Sequence, residues 1–320
     1  MDLKEITYFD AFEDALIEEA RKDPRIFLMG EDISSYTVRR FSSEFPERVL
    51  NTPISENGFI GVGLGAALTG MRPVVFLMFV DLAPLAMDQI NNQIAKARYM
   101  FGGKLKVPII IIMPEGAAGM AAGHHSQSLD AWFIHIPGLK VIAPSTPYDA
   151  KGLMMTALRD ENPVIVLQHK VLRSLKGSVS EEEYLIPFGK ADIKREGKDV
   201  TIVTWLNMVQ KSLQAAKTLE EEGISVEIID PRTLVPFDDE TILRSIEKTG
   251  RLVVVEEECK RGGAAAEVVA MVAEKGFQYL KAPILRVAAK EAPIPYAPVL
   301  ENYIIPQKED IISAVKNIVD

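Results

Sequence analysis

The 320-residue sequence contains a single cysteine, fewer basic than acidic residues and few long apolar runs. A single cysteine, Cys259, excludes an intrachain disulfide framework, and the acidic residues 256–258 before it oppose thiolate formation. With 36 Lys and Arg against 45 Asp and Glu, the net charge is −9. This balance argues against nucleic-acid binding, which needs clustered basic side chains. No apolar run reaches membrane-spanning length and no leader precedes Leu3, so we expect a cytoplasmic protein without a membrane anchor.

Hydrophobic residues make up 48% of the chain, and its length suffices for two cores of ordinary domain size. Near-continuous apolar strands alternate with amphipathic helices, which predicts parallel sheets covered on both faces. The fold class is therefore α/β, with two domains that each contain a mainly parallel sheet flanked by helices. The periodicity fades over 175–195, which predicts an interdomain linker and domains over 1–185 and 186–320.

The predicted elements follow hydrophobic periodicity, with Pro24 separating the first helix from the first strand and Pro147 leading into the helix that begins at 148. In the first domain, helices are predicted over 8–21, 86–99 and 148–159, and strands over 26–29, 74–79, 107–113, 139–143 and 164–168. In the second domain, strands are predicted over 200–204, 226–229 and 252–256, and helices over 209–222, 239–248 and after Gly263.

A lone carboxylate, Glu56, stands at the start of a glycine-rich apolar helix. The positive end of the helix dipole favours its ionised form, and the small residues that follow let a flat ligand or a second helix approach the backbone closely. Glu56 is therefore our candidate catalytic residue. Two alternatives are a dinucleotide fingerprint at Gly61-x-Gly63-x-x-Ala66, which lacks an apolar strand directly before it, and an ordinary N-terminal helix charge worth roughly a few tenths of a kcal/mol.

Six stretches occur in an order and spacing typical of one enzyme family. They are residues 51–56, 98–104, 125–128, 135–141, 144–153 and 159–165. On these residues the chain resembles the β subunit of the thiamine-diphosphate-dependent E1 component of 2-oxo acid dehydrogenase complexes, over essentially its whole length. Residues 98–104 and 144–153 are most similar to the acetoin dehydrogenase branch. Residues 200–204, 230–236 and 257–263 resemble the C-terminal assembly domain of the transketolase group.

The resemblance implies roles for individual residues. The family's glutamate matching Glu56 bonds the aminopyrimidine ring and promotes proton removal from thiazolium C2. The histidine matching His125 faces the reacting end of the cofactor, whereas the adjacent His124 does not align with the His-Ser-Gln motif. Met78 matches a residue that covers the ring. Leu82 stands where many members carry an aromatic side chain, so the pocket forfeits a stacking contribution of about 0.5 to 1.5 kcal/mol.

The Gly-Asp-Gly motif with which thiamine enzymes hold the divalent ion of the diphosphate is missing from this chain. The resemblance implies that an α subunit supplies Mg²⁺ and the phosphate site in an α2β2 assembly. It also implies a monovalent-cation site, usually for potassium, at Ile109, Ala157, Asp160 and Asn162. The alternative for Asp160 and Asn162 is a helix end followed by Pro163.

We therefore expect an oxidoreductase subunit that shares thiamine diphosphate with an E1 α subunit. The enzyme would decarboxylate a 2-oxo acid, such as pyruvate, or cleave acetoin, and transfer the acyl group to the lipoyl group of an E2 acyltransferase. The second domain is expected to make β-β contacts and, in some complexes, to dock E2. The alternative is a transketolase-like half-enzyme for another carbohydrate or ketone substrate, or a non-catalytic assembly subunit.

Overall fold

The computed structural model describes residues 3–36 and 38–319. The predicted domains also include Met1, Asp2, Thr37 and Asp320, which lie outside the described residues. The chain forms two compact units. The first comprises Met1–Glu115 and Trp132–Phe188, and the second Gly116–Ala131 and Gly189–Asp320. The chain thus leaves the first unit and returns to it, and the domain division at 185/186 stays a prediction. None of the described helices is both long and apolar enough to cross a membrane.

The strands of the first unit form a parallel sheet and a separate antiparallel pair. The strands are β1 (Leu3–Thr7), β2 (Ile26–Gly30), β3 (Val49–Asn51), β4 (Arg72–Phe76), β5 (Ile110–Glu115), β6 (Lys140–Ile142), β7 (Val164–His169) and β8 (Lys176–Ser180). Within this unit the sheet order is β6-β7-β5-β4-β2-β3, with every neighbouring pair parallel. The central strands are almost entirely buried, as expected for a sheet covered on both faces.

The helices of the first unit cover this sheet. They are α1 (Tyr8–Lys22), α2 (Ile33–Tyr36), α3 (Arg39–Glu44), α4 (Glu56–Leu68), α5 (Ala95–Met100), α6 (Asp130–Ile134, whose first two residues belong to the second unit) and α7 (Pro147–Arg159), with 3-10 turns over Pro46–Arg48, Val80–Ala86 and Lys170–Ser174. Thr7 and Thr146 cap α1 and α7 by accepting the backbone N–H groups of Asp10 and Asp149. Apolar residues of α1 and α7 join the sheet in one core.

The prediction of a linker over 175–195 is wrong in part, because the segment contains two strands. Strand β8 pairs with β1 in antiparallel register from Leu3 against Ser180 to Thr7 against Lys176. Strand β9 (Asp192–Arg195) joins the second sheet. Their partners lie far away along the chain, so the local composition carried no sign of the pairing.

The predicted helix over 86–99 is helical but not regular. Its first part, Asp88–Ile94, is a π-helix, in which the N–H of Ala95 bonds the carbonyl of Ile90, and α5 follows it. The side chain of Asn92 donates to Asp88 (2.8 Å) and accepts from Lys96 (2.9 Å). Asparagine is a weak helix former, and this local bonding accompanies the widened turn.

The second unit is also α/β. Besides β9 it contains β10 (Val200–Thr204), β11 (Val226–Asp230), β12 (Thr233–Val235), β13 (Leu252–Cys259), β14 (Leu285–Ala289), α8 (Asn207–Glu221), α9 (Asp239–Thr249), α10 (Ala265–Lys275), α11 (Pro298–Ile304), α12 (Lys308–Val319) and a 3-10 turn over Phe277–Tyr279. Its sheet has the order β14-β13-β10-β11-β9, parallel except for β9. Apolar residues of the sheet, α8 and α12 form its core, and the predicted fold class is confirmed.

Candidate functional site

Glu56 is the first residue of α4, as the sequence predicts. The short edge strand β3 ends five residues earlier, so a strand does precede this helix, but it is half exposed and of three residues only. Ser55 does not cap the helix with its side chain. Glu56 is 6% exposed as a whole residue, and its carboxylate forms no hydrogen bond with any described residue. A carboxylate with open acceptor positions at a helix N-terminus is suited to binding a proton donor.

The glycines of α4 lie on two faces of the helix, one packed against the sheet and one open. A Cβ atom at Gly63 would lie 2.9 Å from Val75 Cγ2 and 3.1 Å from Ile109 Cδ1, so glycine lets the helix pack closely on the sheet. Gly65 has open space around it. Beside it, Val62 is 60% exposed, so α4 presents an apolar face of small residues that no described residue covers.

A second carboxylate, Glu31, follows the buried strand β2 and was not singled out from the sequence. Its Oε1 atom is buried and has no hydrogen-bond partner in the described ranges. Burial raises the pKa of Glu31, and the negative charges of Glu56 and Asp32 raise it further. Gly30-Glu31-Asp32 directly after a buried strand could have indicated it, because binding residues gather at the carboxyl ends of parallel strands.

A cavity of about 320 Å³ lies at the carboxyl ends of β2, β4, β5 and β7. Its lining includes aromatic and apolar side chains, among them Met78. It also includes charged and polar side chains, among them Glu31, Gln168, His169 and Arg173. His169 is buried, and its Nδ1 accepts the N–H of Val171 at 3.2 Å. In a neutral imidazole the proton is then on Nε2. The cavity lining therefore contains both hydrogen-bond donor and acceptor groups.

Of the two residues predicted to lie at the aminopyrimidine ring, Met78 lines the cavity and Leu82 does not. Met78 follows β4 and lines the cavity with Glu31. Leu82 lies in the 3-10 turn Val80–Ala86, half-buried, with its N–H bonded to the carbonyl of Phe79 at 3.1 Å. Neither Leu82 nor Glu56 lines the cavity. Strand β4 ends at Phe76, three residues before the predicted end.

His125 belongs to the second unit, within the segment Gly116–Ala131, whereas Glu56 belongs to the first. Both His124 and His125 are exposed. The N–H of Gly116 bonds the carbonyl of Gln127 at 2.9 Å and closes the base of a loop. The same segment carries two non-glycine residues with positive φ, Met120 and Ala122, both at 57°.

Within the predicted monovalent-cation site, Asp160 contacts two basic side chains. Asp160 forms an ion pair with Lys140 and accepts the side-chain amide of Asn162 at 2.8 Å. Arg72 donates to the carbonyl of Asp160 at 2.8 Å. Burial alone would raise the pKa of Asp160, but the bonds from Lys140 and Asn162 hold it below its ordinary value.

The remaining predicted members of this site engage in ordinary backbone bonding. The carbonyl of Ala157 accepts from Asp160 N–H at 3.1 Å, and that of Ile109 accepts from Val164 N–H at 3.0 Å. The described residues contain no cluster of three or more His, Cys, Asp or Glu that could hold a metal ion.

Cys259 is exposed at the end of β13. Desolvation raises the pKa of its thiol, and the negative charge of Glu258 adds to the effect. The thiolate is thus disfavoured, in line with the expectation from the acidic residues before it.

Two family models match the chain. The model described as transketolase, pyrimidine binding domain, matches residues 4–174, and the model described as transketolase, C-terminal domain, matches residues 189–311. The first contains α4, Glu31 and the cavity. The match to the pyrimidine-binding model implies a thiamine-diphosphate-dependent family.

Curated relatives are similar along almost the whole chain. Acetoin:2,6-dichlorophenolindophenol oxidoreductase subunit beta of Cupriavidus necator is 46% identical, covering 96% of this chain and 95% of the relative. Pyruvate dehydrogenase E1 component subunit beta of Rickettsia bellii is 44% identical and covers 98% of each. The solved structure described as a split gene transketolase, inactive beta4 tetramer, has a TM-score of 0.82 and 27% identity, with 98% of each chain covered.

Proposed function

Because the chain belongs to the family of E1 β subunits of pyruvate and acetoin dehydrogenase complexes, we propose that it is the β subunit of an α2β2 enzyme that decarboxylates a 2-oxo acid or cleaves acetoin. The acyl unit passes to the lipoyl group of an E2 acyltransferase. The observation that carries the proposal is Glu56, a buried carboxylate at the start of the glycine-rich helix α4.

The residues present fit the aminopyrimidine half of thiamine diphosphate. Glu56 has open acceptor positions, and the buried Oε1 of Glu31 is without a hydrogen-bond partner among the described residues. A ring that carries an amino group and can be protonated satisfies such carboxylates. Met78 supplies a polarizable side chain of the kind that packs against a ring. Leu82 supplies aliphatic contact without aromatic stacking.

The proposed roles of this chain's residues are proton handling and positioning. When bound, thiamine diphosphate would supply the carbon nucleophile for the reaction with the substrate carbonyl. Glu56 accepts and shares a proton at its carboxylate, which requires an acid-base group held away from bulk water. His125 orients the substrate or gives it a proton at the reacting end.

The diphosphate end requires a second chain. This sequence has no Gly-Asp-Gly motif, and an E1 α subunit carrying one supplies Mg²⁺ and the phosphate site. The uncovered apolar face of α4 around Val62 and Gly65 supports contact with another subunit. The second unit, matched by the transketolase C-terminal model, is proposed to make the β-β contact and to contribute to E2 docking.

The monovalent-cation site at Ile109, Ala157, Asp160 and Asn162 is also a proposal. Asp160 keeps a low pKa and therefore a full negative charge near neutral pH. Lys140 already forms an ion pair with it, so a potassium ion would have to share or displace this ammonium group. Potassium dependence of the thermal stability of the chain, compared with sodium, tests the site.

A second candidate function is a transketolase-like half-enzyme. The full-length match to the structure described as a split gene transketolase supports it, at 27% identity against 44–46% for the two curated E1 relatives. The substrate decides between the two candidates.

The experiment combines this chain with an E1 α subunit in thiamine diphosphate and Mg²⁺. Pyruvate, branched 2-oxo acids and acetoin are assayed with 2,6-dichlorophenolindophenol as electron acceptor, and with a lipoyl domain as acyl acceptor. Turnover of one of them supports the E1 proposal, and turnover of a ketose phosphate alone supports the transketolase-like candidate. Calorimetry of the isolated chain tests the shared site, which micromolar binding without the α subunit would contradict.

A further inference from the structure

Three buried carboxylates of the second unit hold the segment that carries His125. Glu257 accepts the N–H of Ala117 at 2.7 Å, and Glu258 accepts the N–H of Ala131 at 3.0 Å. These two residues are neighbours on β13, and they bind opposite ends of Gly116–Ala131.

The third carboxylate, Glu301 on α11, accepts the N–H of Gly119 at 2.9 Å. It is 5% exposed, and Glu257 and Glu258 are 9% and 6% exposed. A carboxyl oxygen can accept a backbone N–H whether or not the group is ionised, and a buried N–H that loses its acceptor costs about 1 to 3 kcal/mol. The segment is thus held by buried hydrogen bonds near both of its ends.

The loop between these bonds has a backbone that needs such support. Met120 and Ala122 have φ of 57°, a region that non-glycine residues rarely adopt. Strained backbone of this kind persists only where the surrounding structure determines it. Within the loop, the bond from His125 N–H to Ala122 carbonyl is 3.3 Å long.

The anchoring groups are integrated into the second unit. The other carboxylate oxygen of Glu258 accepts the N–H of Ala264 at 2.8 Å, next to the start of α10. Lys211 lies near Glu257 and Glu301, whose charges counteract the lowering of its pKa by burial. Its ammonium group donates to the carbonyl of Pro306 at 2.6 Å. The carboxylates therefore connect the loop to α8, α10, α11 and β13.

We propose that Glu257, Glu258 and Glu301 are positioning residues for His125: they fix the backbone of Gly116–Ala131 so that the imidazole has one place relative to the second unit. The inference rests on the proposed catalytic role of His125. A displacement of about 1 Å can cost roughly a hundredfold in rate, so loss of an anchor should lower turnover without touching the reacting atoms.

The test compares Glu→Gln with Glu→Met at Glu257 and Glu301, in the enzyme assembled with its α subunit and thiamine diphosphate. Glutamine keeps an acceptor oxygen for the backbone N–H, whereas methionine fills similar space without one. We expect kcat to stay within about threefold of the parent in the Gln variants and to fall roughly tenfold to a hundredfold in the Met variants, with cofactor affinity unchanged. Glu274→Met, at an exposed position of α10, is the matched control.

Two further readouts separate positioning from general destabilisation. Deuterium uptake of the peptide spanning 116–131 should rise in the Met variants and stay at the parent level in the Gln variants. Combining Glu257→Met with His125→Ala should lower kcat no further than His125→Ala alone, because the anchor acts through the imidazole.

The outcomes distinguish the two claims. Unchanged deuterium uptake in the Met variants, or a full additional loss of kcat in the double variant, overturns the positioning role. Parent activity in His125→Ala instead contradicts the proposed function of His125. Rescue of both uptake and kcat by glutamine supports the inference.

Discussion

The carboxyl group of Glu31 is electrostatically coupled to that of Glu56. Burial raises the pKa of Glu31, and the negative charge of Glu56 contributes to the same shift. The two side chains come from the end of β2 and the start of α4, which are neighbours in space but are separated by 25 positions in the sequence. Together they make this part of the first unit favourable for a ligand that donates protons or carries positive charge.

We first expect Glu56→Gln to lower the pKa of Glu31. The substitution removes the negative charge and preserves the shape of the side chain, so ionised Glu31 becomes less unfavourable. Carbon-13 NMR titration of the Glu31 carboxyl carbon in the isolated chain measures the change. Glu47→Gln, at an exposed glutamate of the same unit, should leave the pKa of Glu31 unchanged. An unchanged Glu31 titration in Glu56→Gln would show that the two groups are not coupled.

In the assembled enzyme, Glu56→Gln should slow deprotonation of the cofactor at C2 by roughly 10²- to 10⁴-fold, the range typical of a lost acid-base group. Assembly should persist because the two side chains have nearly the same size. Hydrogen-deuterium exchange at C2, with gel filtration to confirm the oligomer, provides the measurement. Exchange at the parent rate would reduce Glu56 to a helix-terminal charge.

His125→Ala should suppress the steps that involve substrate or the lipoyl acceptor, whereas His124→Ala should have a much smaller effect. Both side chains are exposed, so neither substitution should disturb the core of the second unit. Reductive acylation of a lipoyl domain is compared with cofactor affinity for each variant. Equal losses in the two variants, or a loss explained by weaker cofactor binding, would remove His125 from the catalytic residues.

Alanine should have opposite effects at two glycines of α4. At Gly63 the new methyl group meets Val75 and Ile109 at 2.9 and 3.1 Å, and overpacking of this kind costs about 1 to 3 kcal/mol. At Gly65 the new methyl group meets no described atom within 4 Å outside the neighbouring backbone of its own helix, and replacing a helical glycine by alanine stabilises by about 0.5 to 1 kcal/mol. Denaturant unfolding of the isolated chain measures both free energies. A stabilised Gly63→Ala would mean that the helix does not pack closely on the sheet.

Burial raises the pKa of Glu256 to about 8 from an ordinary value of 4.5. The folded chain therefore holds a proton that the unfolded chain has lost between these pH values. The resulting stabilisation is fully present below about pH 4.5 and is lost as the pH rises to about 8. Glu256→Gln should remove this dependence, on the order of a few kcal/mol, because glutamine does not ionise.

Unfolding at pH 5.5 and pH 8.5 measures the effect. The chain contains two tryptophans, Trp132 and Trp205. In a Trp132→Phe background only Trp205 remains, and its fluorescence reports on the second unit. The parent should lose stability between the two pH values more than Glu256→Gln does. Identical changes in both proteins would assign the pH dependence to other groups.

The helix that carries Glu56 could be predicted because its signals are local: a carboxylate, then a run of small apolar residues. The same holds for α1 and α7, whose apolar spacing and N-terminal residues define them. The π-helical turn at Asp88–Ile94 was not predicted, since apolar spacing does not distinguish π from α hydrogen bonding.

Glu31 and the anchors of the His125 loop were missed for a different reason. Their significance comes from contacts over long sequence separations, such as Glu257 with Ala117 and Glu301 with Gly119. In the sequence alone, residues 256–258 indicate only an acidic run beside a cysteine. The two strands within the predicted linker were missed for the same reason, because their formation depends on pairing with distant strands and not on local composition.

The membership of Gly116–Ala131 in the second unit means that the two units are not consecutive stretches of the chain. A fragment ending at Phe188 would include this segment but lack Glu257, Glu258 and Glu301, which bind its backbone. A fragment starting at Gly189 would contain those carboxylates without the N–H groups that they accept. Truncation at the boundary between the family matches would therefore leave both pieces incomplete, and exchange of modules between relatives must transfer the loop together with the C-terminal unit.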